Sequence, residues 1–293
     1  MQASEQVHLL KHTAILLIDC PDRRGLVAAV ANFLYQYGAN IVHADQHRDS
    51  ELNLFLMRVE WDLEGFGLSS IEFREKFGLV AEKFQMRWKM EESSKPQRMA
   101  IFCSKQDHCL ADLLYRHSSG ELICEIPLVV SNHEEPSRLA EFYGIPFHYV
   151  PVVKGGKVQA ERAQLDLLEK YSIDLLVLAR YMQIFSSEFI SHYPQKIINV
   201  HHSFLPAFAG GKPYHQAFER GVKLIGATSH YVTEDLDQGP IIEQDVARVS
   251  HRDQLDDLIQ KGRDLEKMVL SRAVRWHVEH RILTYAKKTV IFD

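Results

Sequence analysis

From residue 98 onwards, this 293-residue chain alternates strand-length apolar runs with helix-length amphipathic segments. The apolar runs lie at 98–103, 122–130, 146–152 and 173–178. The amphipathic segments between them lie at 107–117, 135–143 and 158–171. Such alternation predicts an α/β fold with a doubly wound, mostly parallel sheet. The ligand crevice of such a sheet lies at the carboxyl ends of its strands.

A different order of elements precedes this alternation. Residues 13–90 show strand and helix patterns in the order β-α-β-β-α-β, which is the ferredoxin-like split unit. The polar segment 91–97 contains a proline and is typical of a linker between domains. We therefore predict an N-terminal domain at 9–90, a linker at 91–97 and a second domain at 98–293.

Composition argues against several classes of partner. The formal charge of −5 and a pI near 6.3 give no overall attraction to nucleic acid. No apolar run approaches the length of about 20 residues that a membrane span requires. The first residues lack the basic and apolar blocks of a secretory signal. The four cysteines have no C-x-x-C spacing, which indicates reduced thiols. We expect a cytoplasmic protein with no nucleic-acid or membrane partner.

Three polar residues are candidates for catalysis. Asn199 and His201 end a strand-like run and alternate along it, so they point to one side and His202 points to the other. Asp237 precedes a Gly-Pro pair in a loop that can return towards them. An amide and a protonated imidazole can stabilise an oxyanion, and a carboxylate can assist proton transfer. The residues alone leave two readings open, an acyl-transfer site or a buried structural histidine beside a turn-forming aspartate.

Sixteen histidines raise the question of a metal site. Side chains of adjacent strand residues diverge, so His201 and His202 are poorly placed to bind one ion. The sequence also has no His-Glu-x-x-His motif and no paired cysteines. We predict that no metal is required.

Two short motifs resemble the signature of the folate-dependent formyl-transferring family. These are Asn-x-His-x-Ser-x-Leu-Pro, starting at Asn199, and Asp-x-Gly-Pro-Ile-Ile, starting at Asp237. The similarity extends over about residues 98–285. It implies that 10-formyltetrahydrofolate is the substrate, so that no separate cofactor is needed. It also implies that Asn199 and His201 stabilise the oxyanion and that Asp237 assists proton transfer.

The segment after the strand at 173–178 is similar to the pterin-binding segment of that family. The resemblance implies that Met182, Ile184 and Phe185 line the substrate pocket and that Gln183 makes a polar contact. It also places Gly239 among the substrate-binding residues. A methionine and aromatic stripe is also common in plain hydrophobic core, and that alternative stays open.

The turn at 104–108 contains no glycine, although members of the family that bind a phosphorylated amine carry a glycine-rich turn there. We also expect no C-terminal RNA domain of the kind found in the tRNA-directed members. The resemblance therefore implies the hydrolytic branch, which forms formate and tetrahydrofolate, supplies formate for purine synthesis and balances one-carbon folate pools. The alternatives are formyl transfer to an amine acceptor and an amino-acid sensor with an inactive catalytic domain.

Residues 19–26 resemble the first turn of an ACT domain, a module that often pairs edge to edge and binds an amino acid at the interface. The resemblance implies a homo-oligomer and an effector site that contains Asp22, Arg23, Gly25 and Asn40. A domain that serves dimerisation alone fits the same pattern. Gly211 stands where we expect alanine in relatives, and we predict that it loosens its loop.

Overall fold

The computed structural model describes residues 12–206 and 213–293, so Gly211 lies outside the described residues. The chain forms two compact units. The first runs to Pro96 and also contains Glu279–Tyr285 and Val290–Asp293. The second comprises Gln97–Val278 and Ala286–Thr289. The predicted second domain of 98–293 thus differs from the structure at its C-terminal end, where most of the tail belongs to the first unit.

The first unit contains a four-stranded antiparallel sheet in the order β2-β3-β1-β4, with two helices. Its elements in chain order are β1 (Thr13–Pro21), α1 (Leu26–Gln36), β2 (Asn40–Asp49), β3 (Leu54–Asp62), α2 (Ser70–Phe84) and β4 (Arg87–Glu92). Helix α2 begins at a capping box, in which Ser69 and Glu72 satisfy each other's backbone N–H groups. The predicted ferredoxin-like order is confirmed.

Both faces of this sheet are covered. Apolar residues of one face pack against α1 and α2 around Trp61 and Phe73. On the other face, Ile15 and Leu17 form a small core with Tyr285 and Phe292 from the C-terminal tail. The C-terminal tail forms the two-stranded pair β12 (Ile282–Tyr285) and β13 (Lys288–Ile291), which is separate from the four-stranded sheet.

The second unit is built on a seven-stranded sheet in the order β11-β10-β9-β8-β5-β6-β7. Its strands are β5 (Arg98–Cys103), β6 (Glu125–Ser131), β7 (Phe147–Tyr149), β8 (Leu175–Ala179), β9 (Ile197–His201), β10 (Leu224–Tyr231) and β11 (Ile241–Arg248). Its helices are α3 (His108–Ser118), α4 (Ser137–Phe142), α5 (Lys157–Lys170), α6 (Ser187–His192), α7 (Pro213–Arg220) and α8 (Leu255–Val278).

The connections of this sheet determine where a ligand can bind. Strands β5 to β9 pair in parallel, whereas β10 pairs in antiparallel fashion with both β9 and β11. The chain leaves β5 towards β6 on one side and later returns to β8 on the other. In sheets of this kind, ligands bind at the carboxyl ends of the strands close to such a reversal. Within the two described ranges, no helix is long and apolar enough to cross a membrane.

Candidate active site

A cavity of about 300 Å³ lies at the carboxyl ends of β8 and β9. One part of its wall is apolar and includes Leu178, Ile190 and Val232. Its polar part consists of the side chains that the sequence made candidates for chemistry, together with others that it did not. The polar and charged lining residues are Arg180, Gln183, Asn199, His201, His202, His230, Thr233, Glu234 and Asp237.

Strand pairing brings Asn199 to His230. The two residues are opposite each other in the antiparallel pair of β9 and β10. Asn199 Nδ2 lies 3.3 Å from His230 Nε2. The other ring nitrogen of His230, Nδ1, donates to the carbonyl oxygen of Tyr231 at 2.9 Å. Because that bond fixes the ring, His230 keeps the Asn199 amide in the cavity wall.

Asp237 returns to His201 as the sequence predicted. His201 Nδ1 lies 3.2 Å from one carboxylate oxygen of Asp237, and His230 Nε2 lies 3.6 Å from the other. Asp237 has a φ of 56°, which aspartate tolerates better than most residues. Hydrogen bonds from His201 and then His230 lower the pKa of Asp237 well below its usual range. The carboxylate is therefore ionised at neutral pH.

The second ring nitrogen of His201 is left for a ligand. The His201 side chain is buried, and its Nε2 has no hydrogen-bond partner among the described residues. An unpaired buried polar atom is unfavourable by about 1–3 kcal/mol. Since the ring lines the cavity, a carbonyl or oxyanion bound there would accept from this nitrogen.

The segment that follows β9 is anchored by a buried threonine. Thr228 Oγ1 accepts from the backbone N–H of Leu205 at 3.0 Å and donates to the carbonyl oxygen of Ser203 at 2.9 Å. Gln244 Nε2 donates to the same Oγ1 at 2.9 Å and to the Leu205 carbonyl at 3.1 Å. These bonds fix the direction in which the chain leaves His201.

The prediction that His202 points away from His201 is wrong. Strand β9 ends at His201, and His202 lines the same cavity. The two ring centroids are 5.1 Å apart, with the rings tilted by 52°. Alternation of side chains holds only while a strand continues, and the sequence did not reveal that this strand stops one residue earlier.

The predicted pterin segment lies along the cavity. Met182, Gln183, Ile184 and Phe185 all line it. Met182 and Ile184 are 57% and 61% exposed, so they offer apolar surface that the described part of the chain leaves uncovered. Phe185 is also part of the core, where its ring stacks on Phe189 at 3.9 Å. Phe185 thus lines the cavity and also belongs to the hydrophobic core, which are the two alternatives that the sequence left open.

Gly239 does not line the cavity. A Cβ at this position would lie 1.7 Å from the backbone oxygen of Tyr231. The backbone of Tyr231 also donates to Pro240 O at 2.9 Å. The glycine is thus required for the close approach of two backbone segments, and its contact with substrate stays a prediction.

A buried polar network that the sequence did not reveal adjoins the cavity. Arg180 has a φ of 64°, is 8% exposed and donates to Gln106 Oε1 at 3.0 and 3.1 Å. Its Nε lies 3.4 Å from Glu266 Oε2. Tyr214 donates to Glu266 at 2.6 Å, and His108 Nε2 lies 2.7 Å from it. The glycine-free turn after β5 thus contacts an arginine side chain through Gln106.

The charge of Glu266 is balanced within this network. Burial acts to raise the pKa of Glu266, but the His108 bond, the Arg180 charge and the Tyr214 bond together lower the pKa below its usual value. His108, Cys109 and Glu266 bring ligand-type atoms within 4.8 Å of one another. A cation there would compete with the Arg180 guanidinium for the same carboxylate, so this cluster is better explained as a protein network.

The structure separates the predicted effector residues. Asp22 pairs with Arg48 at 2.5 Å, and Arg23 donates at 2.7 Å to the backbone at the end of α2. Gly25 precedes α1 with a φ of 89°. Asn40 starts β2, and the strand register places it at the opposite end of the sheet from the other three. Within a single chain, Asp22, Arg23 and Gly25 therefore lie together, and Asn40 lies apart from them.

Comparison with known proteins agrees with this division of the chain. The family model for formyl transferases matches residues 97–274, and the ACT domain model matches residues 14–63. A formyltetrahydrofolate deformylase from Synechocystis is 56% identical over 280 residues, which are 96% of this chain and 98% of that protein.

Solved structures show the same relationship. The crystal structure of a formyltetrahydrofolate deformylase from Pseudomonas syringae pv. tomato has a TM-score of 0.95 at 47% identity, covering 99% of this chain and 98% of that one. Glycinamide ribonucleotide transformylase 1 from Symbiobacterium toebii has a TM-score of 0.65 at 28% identity, covering 68% of this chain and 95% of that one. The chain therefore belongs to the formyltetrahydrofolate deformylase family and is a hydrolase that joins an ACT domain to a formyltransferase-type domain.

Proposed function

We propose that this protein hydrolyses 10-formyltetrahydrofolate to formate and tetrahydrofolate. The cavity residues Asn199, His201 and Asp237 carry the reaction. Water attacks the formyl carbon, and the Asn199 amide and protonated His201 donate to the oxyanion that forms. The bond between the formyl carbon and N10 then breaks, and N10 takes up a proton. No cofactor enters the proposal, since the folate is the substrate.

The observation that carries this proposal is the orientation of His201. Asp237 occupies Nδ1, while Nε2 is buried without a partner among the described residues and its ring lines the cavity. A donor that is already desolvated and fixed needs little reorganisation when charge develops on a substrate oxygen. Donors of this kind typically contribute about 3–4 kcal/mol to transition-state stabilisation.

Asp237 acts in this proposal as an ionised group. Its lowered pKa makes it a poor carrier of the transferred proton. Its charge instead orients His201 and stabilises the positive ring while His201 exchanges a proton with the leaving N10. The sequence suggested that Asp237 assists the proton transfer directly. We propose instead that the His201 imidazole, which Asp237 contacts, transfers the proton.

The apolar wall gives the folate its place. Met182 and Ile184 expose apolar surface beside the polar residues of the cavity, and Gln183 adds an amide. A flat pterin ring with polar edges suits such a surface, because its faces can contact apolar side chains while its edge atoms form hydrogen bonds. We propose that this segment binds the pterin and directs the formyl group towards His201.

The test is an incubation of purified protein with 10-formyltetrahydrofolate in buffer free of amines, with formate and tetrahydrofolate measured together. The proposal predicts equal amounts of both products. If tetrahydrofolate binds but no formate appears, transfer to an amine acceptor becomes the better explanation.

We further propose a regulatory role for the ACT domain, in a homo-oligomer. Strand β2 is an outer strand of its sheet, so a second copy can pair along it. Asn40 would then join Asp22, Arg23 and Gly25 from the partner chain rather than from its own. Calorimetric titration with glycine, methionine and other amino acids, together with turnover measurements, tests for an effector. An amino acid that neither releases heat on mixing nor changes turnover is not the effector.

The cellular role we propose is the supply of formate for purine synthesis and the balance of folate pools. Its support is the family relationship. A strain that lacks this protein should need added formate or purine under conditions where other sources of formate are absent, and growth without either would contradict this role.

A further inference from the structure

His202 lies in the wall of the cavity but takes no part in the reaction steps proposed for Asn199, His201 and Asp237. Its ring lies beside His201 and meets the Tyr214 ring edge-on at 6.2 Å between centroids. Neither ring nitrogen forms a hydrogen bond with any residue in the described ranges 12–206 and 213–293. An imidazole that is half-buried, faces the cavity and has no hydrogen-bond partner among the described residues can bind a ligand atom or a water molecule.

Charged groups surround this ring on several sides. Arg180 follows β8, His201 ends β9, Asp237 lies between β10 and β11, and Glu266 belongs to α8. Burial, followed by the charges of Arg180 and His201, lowers the pKa of His202 to about 4, against smaller opposing effects of Glu266 and Asp237. At neutral pH one ring nitrogen of His202 is therefore an acceptor.

Hydrolysis requires an acceptor of this kind. Asn199 and His201 serve as donors to the formyl oxygen, and Asp237 is engaged by two imidazoles. Water is a weak nucleophile, and it must be oriented by an acceptor while its oxygen approaches the carbonyl carbon. His202 offers such an acceptor next to the donor that binds the oxygen.

We propose that His202 binds the attacking water through its unprotonated ring nitrogen and directs the water oxygen at the formyl carbon. This inference rests on the proposed function. As the new carbon–oxygen bond forms, the electron pair of the carbon–N10 bond moves to N10. His202 takes one proton from the water as this bond forms and passes it to solvent. N10 receives a proton from His201, and the second water proton leaves when the formic acid product ionises, which restores the proton on His201. The products are formate and tetrahydrofolate, with one proton released to solvent. His202 is then a catalytic residue that contacts the reacting water.

The test compares His202→Leu, which removes the acceptor at similar volume, with His202→Asn, which retains an acceptor oxygen. His215→Leu is the matched control, because it removes an exposed histidine of α7. We expect His202→Leu to lower kcat for formate release about 100-fold, and His202→Asn to retain about ten times the activity of the leucine variant. Binding of tetrahydrofolate, measured by calorimetry, should change less than about threefold in all three.

A second nucleophile separates water binding from general damage. Hydroxylamine attacks carbonyl groups without the help of a base, and formohydroxamate is then the product. His202→Leu should lose less than about tenfold in formohydroxamate formation while it loses about 100-fold in hydrolysis. Equal losses with both nucleophiles, or hydrolysis within about threefold of the unchanged protein, would overturn the role of His202. Failure of the unchanged protein to release formate would instead overturn the proposed function.

Discussion

Both units bury an arginine beside a histidine, but the two pairs have different surroundings. In the first unit, Arg58 is 5% exposed and donates to the carbonyl oxygen of His280 at 3.0 Å and to Glu60 at 2.9 Å. In the second unit, Arg180 is 8% exposed and faces the cavity together with His202. Arg58 thus fixes the backbone of the C-terminal tail, whereas Arg180 lines the candidate cavity.

The two histidines show the same electrostatic effect. Burial, with the charges of Lys89 and Arg58, lowers the pKa of His280 to about 3. Burial and the Arg180 charge lower the pKa of His202 to about 4. A shifted pKa therefore does not identify a functional residue by itself. What distinguishes His202 from His280 is the cavity beside it.

The largest expected effect comes from Asp237→Asn. The amide has nearly the same shape but carries no charge, so it cannot stabilise the His201 ring while a proton moves. We expect kcat for formate release to fall about 1,000-fold, which corresponds to about 4 kcal/mol. The affinity for tetrahydrofolate should change far less, and the measurement is a comparison of kcat with the calorimetric dissociation constant.

Asp235→Asn is the matched control. It removes the same charge from the same loop, but Asp235 is exposed and does not line the cavity. Its turnover should stay within about twofold of the unchanged protein. Unimpaired turnover of Asp237→Asn would remove Asp237 from the chemistry.

We expect Arg58→Met to lower stability strongly without changing catalysis. The change leaves Glu60 and the carbonyl oxygen of His280 without their buried donor. The unfolding free energy of the first unit should fall by about 3 kcal/mol, as measured by urea denaturation. Turnover of the folded protein should not change.

Arg23→Met is the comparison for this prediction. Arg23 is exposed, although it too donates to backbone oxygens. Its loss should lower stability much less, because water can replace its bonds. Equal losses for the two variants would mean that burial does not determine the contribution of Arg58.

Patterns among residues that are close in sequence predicted most of the fold and part of the candidate site. Apolar runs of strand length predicted β5, β8 and β9, and alternation within β9 correctly placed Asn199 and His201 together. Asp237 was predicted near them because a glycine and a proline follow it and loops at strand ends meet. Each of these inferences needs only residues that are close in sequence.

The remaining parts depend on distant segments. His230 meets Asn199 through the register of β10 against β9, and no local pattern fixes a register of this kind. Gln106, Arg180 and Glu266 come together from three separate regions, so their hydrogen bonds appear only in the folded chain. His202 faces the cavity because strand β9 ends at His201. The periodicity of a sequence locates the end of a strand only approximately.

The pH dependence of stability compares the two histidines directly. Because the pKa of each is lowered in the folded state, the unfolded chain binds more protons between pH 6.5 and the folded pKa. Their contribution to stability is present above pH 6.5 and is lost as the pH falls towards about 4 for His202 and about 3 for His280.

His202→Asn and His280→Asn should each reduce the loss of unfolding free energy between pH 7 and pH 4.5, by about 2 kcal/mol. Urea denaturation at the two pH values measures this difference. We expect only the His202 variant to lose turnover as well, since His280 does not line the cavity. A pH dependence equal to that of the unchanged protein would show that the substituted histidine does not titrate in this range.

The smallest expected effect is a gain in stability from Gly78→Ala in helix α2. A Cβ at this position meets nothing within 4 Å, and alanine loses less backbone entropy than glycine when a helix forms. The first unit should become more stable by about 0.7 kcal/mol, as measured by urea denaturation, with no change in turnover. A change in turnover without any change at the cavity residues would mean that the stability of the ACT domain influences catalysis. Arg58 and His280 would then affect catalysis through the first unit, and only their distance from the substrate cavity would distinguish them from Arg180 and His202.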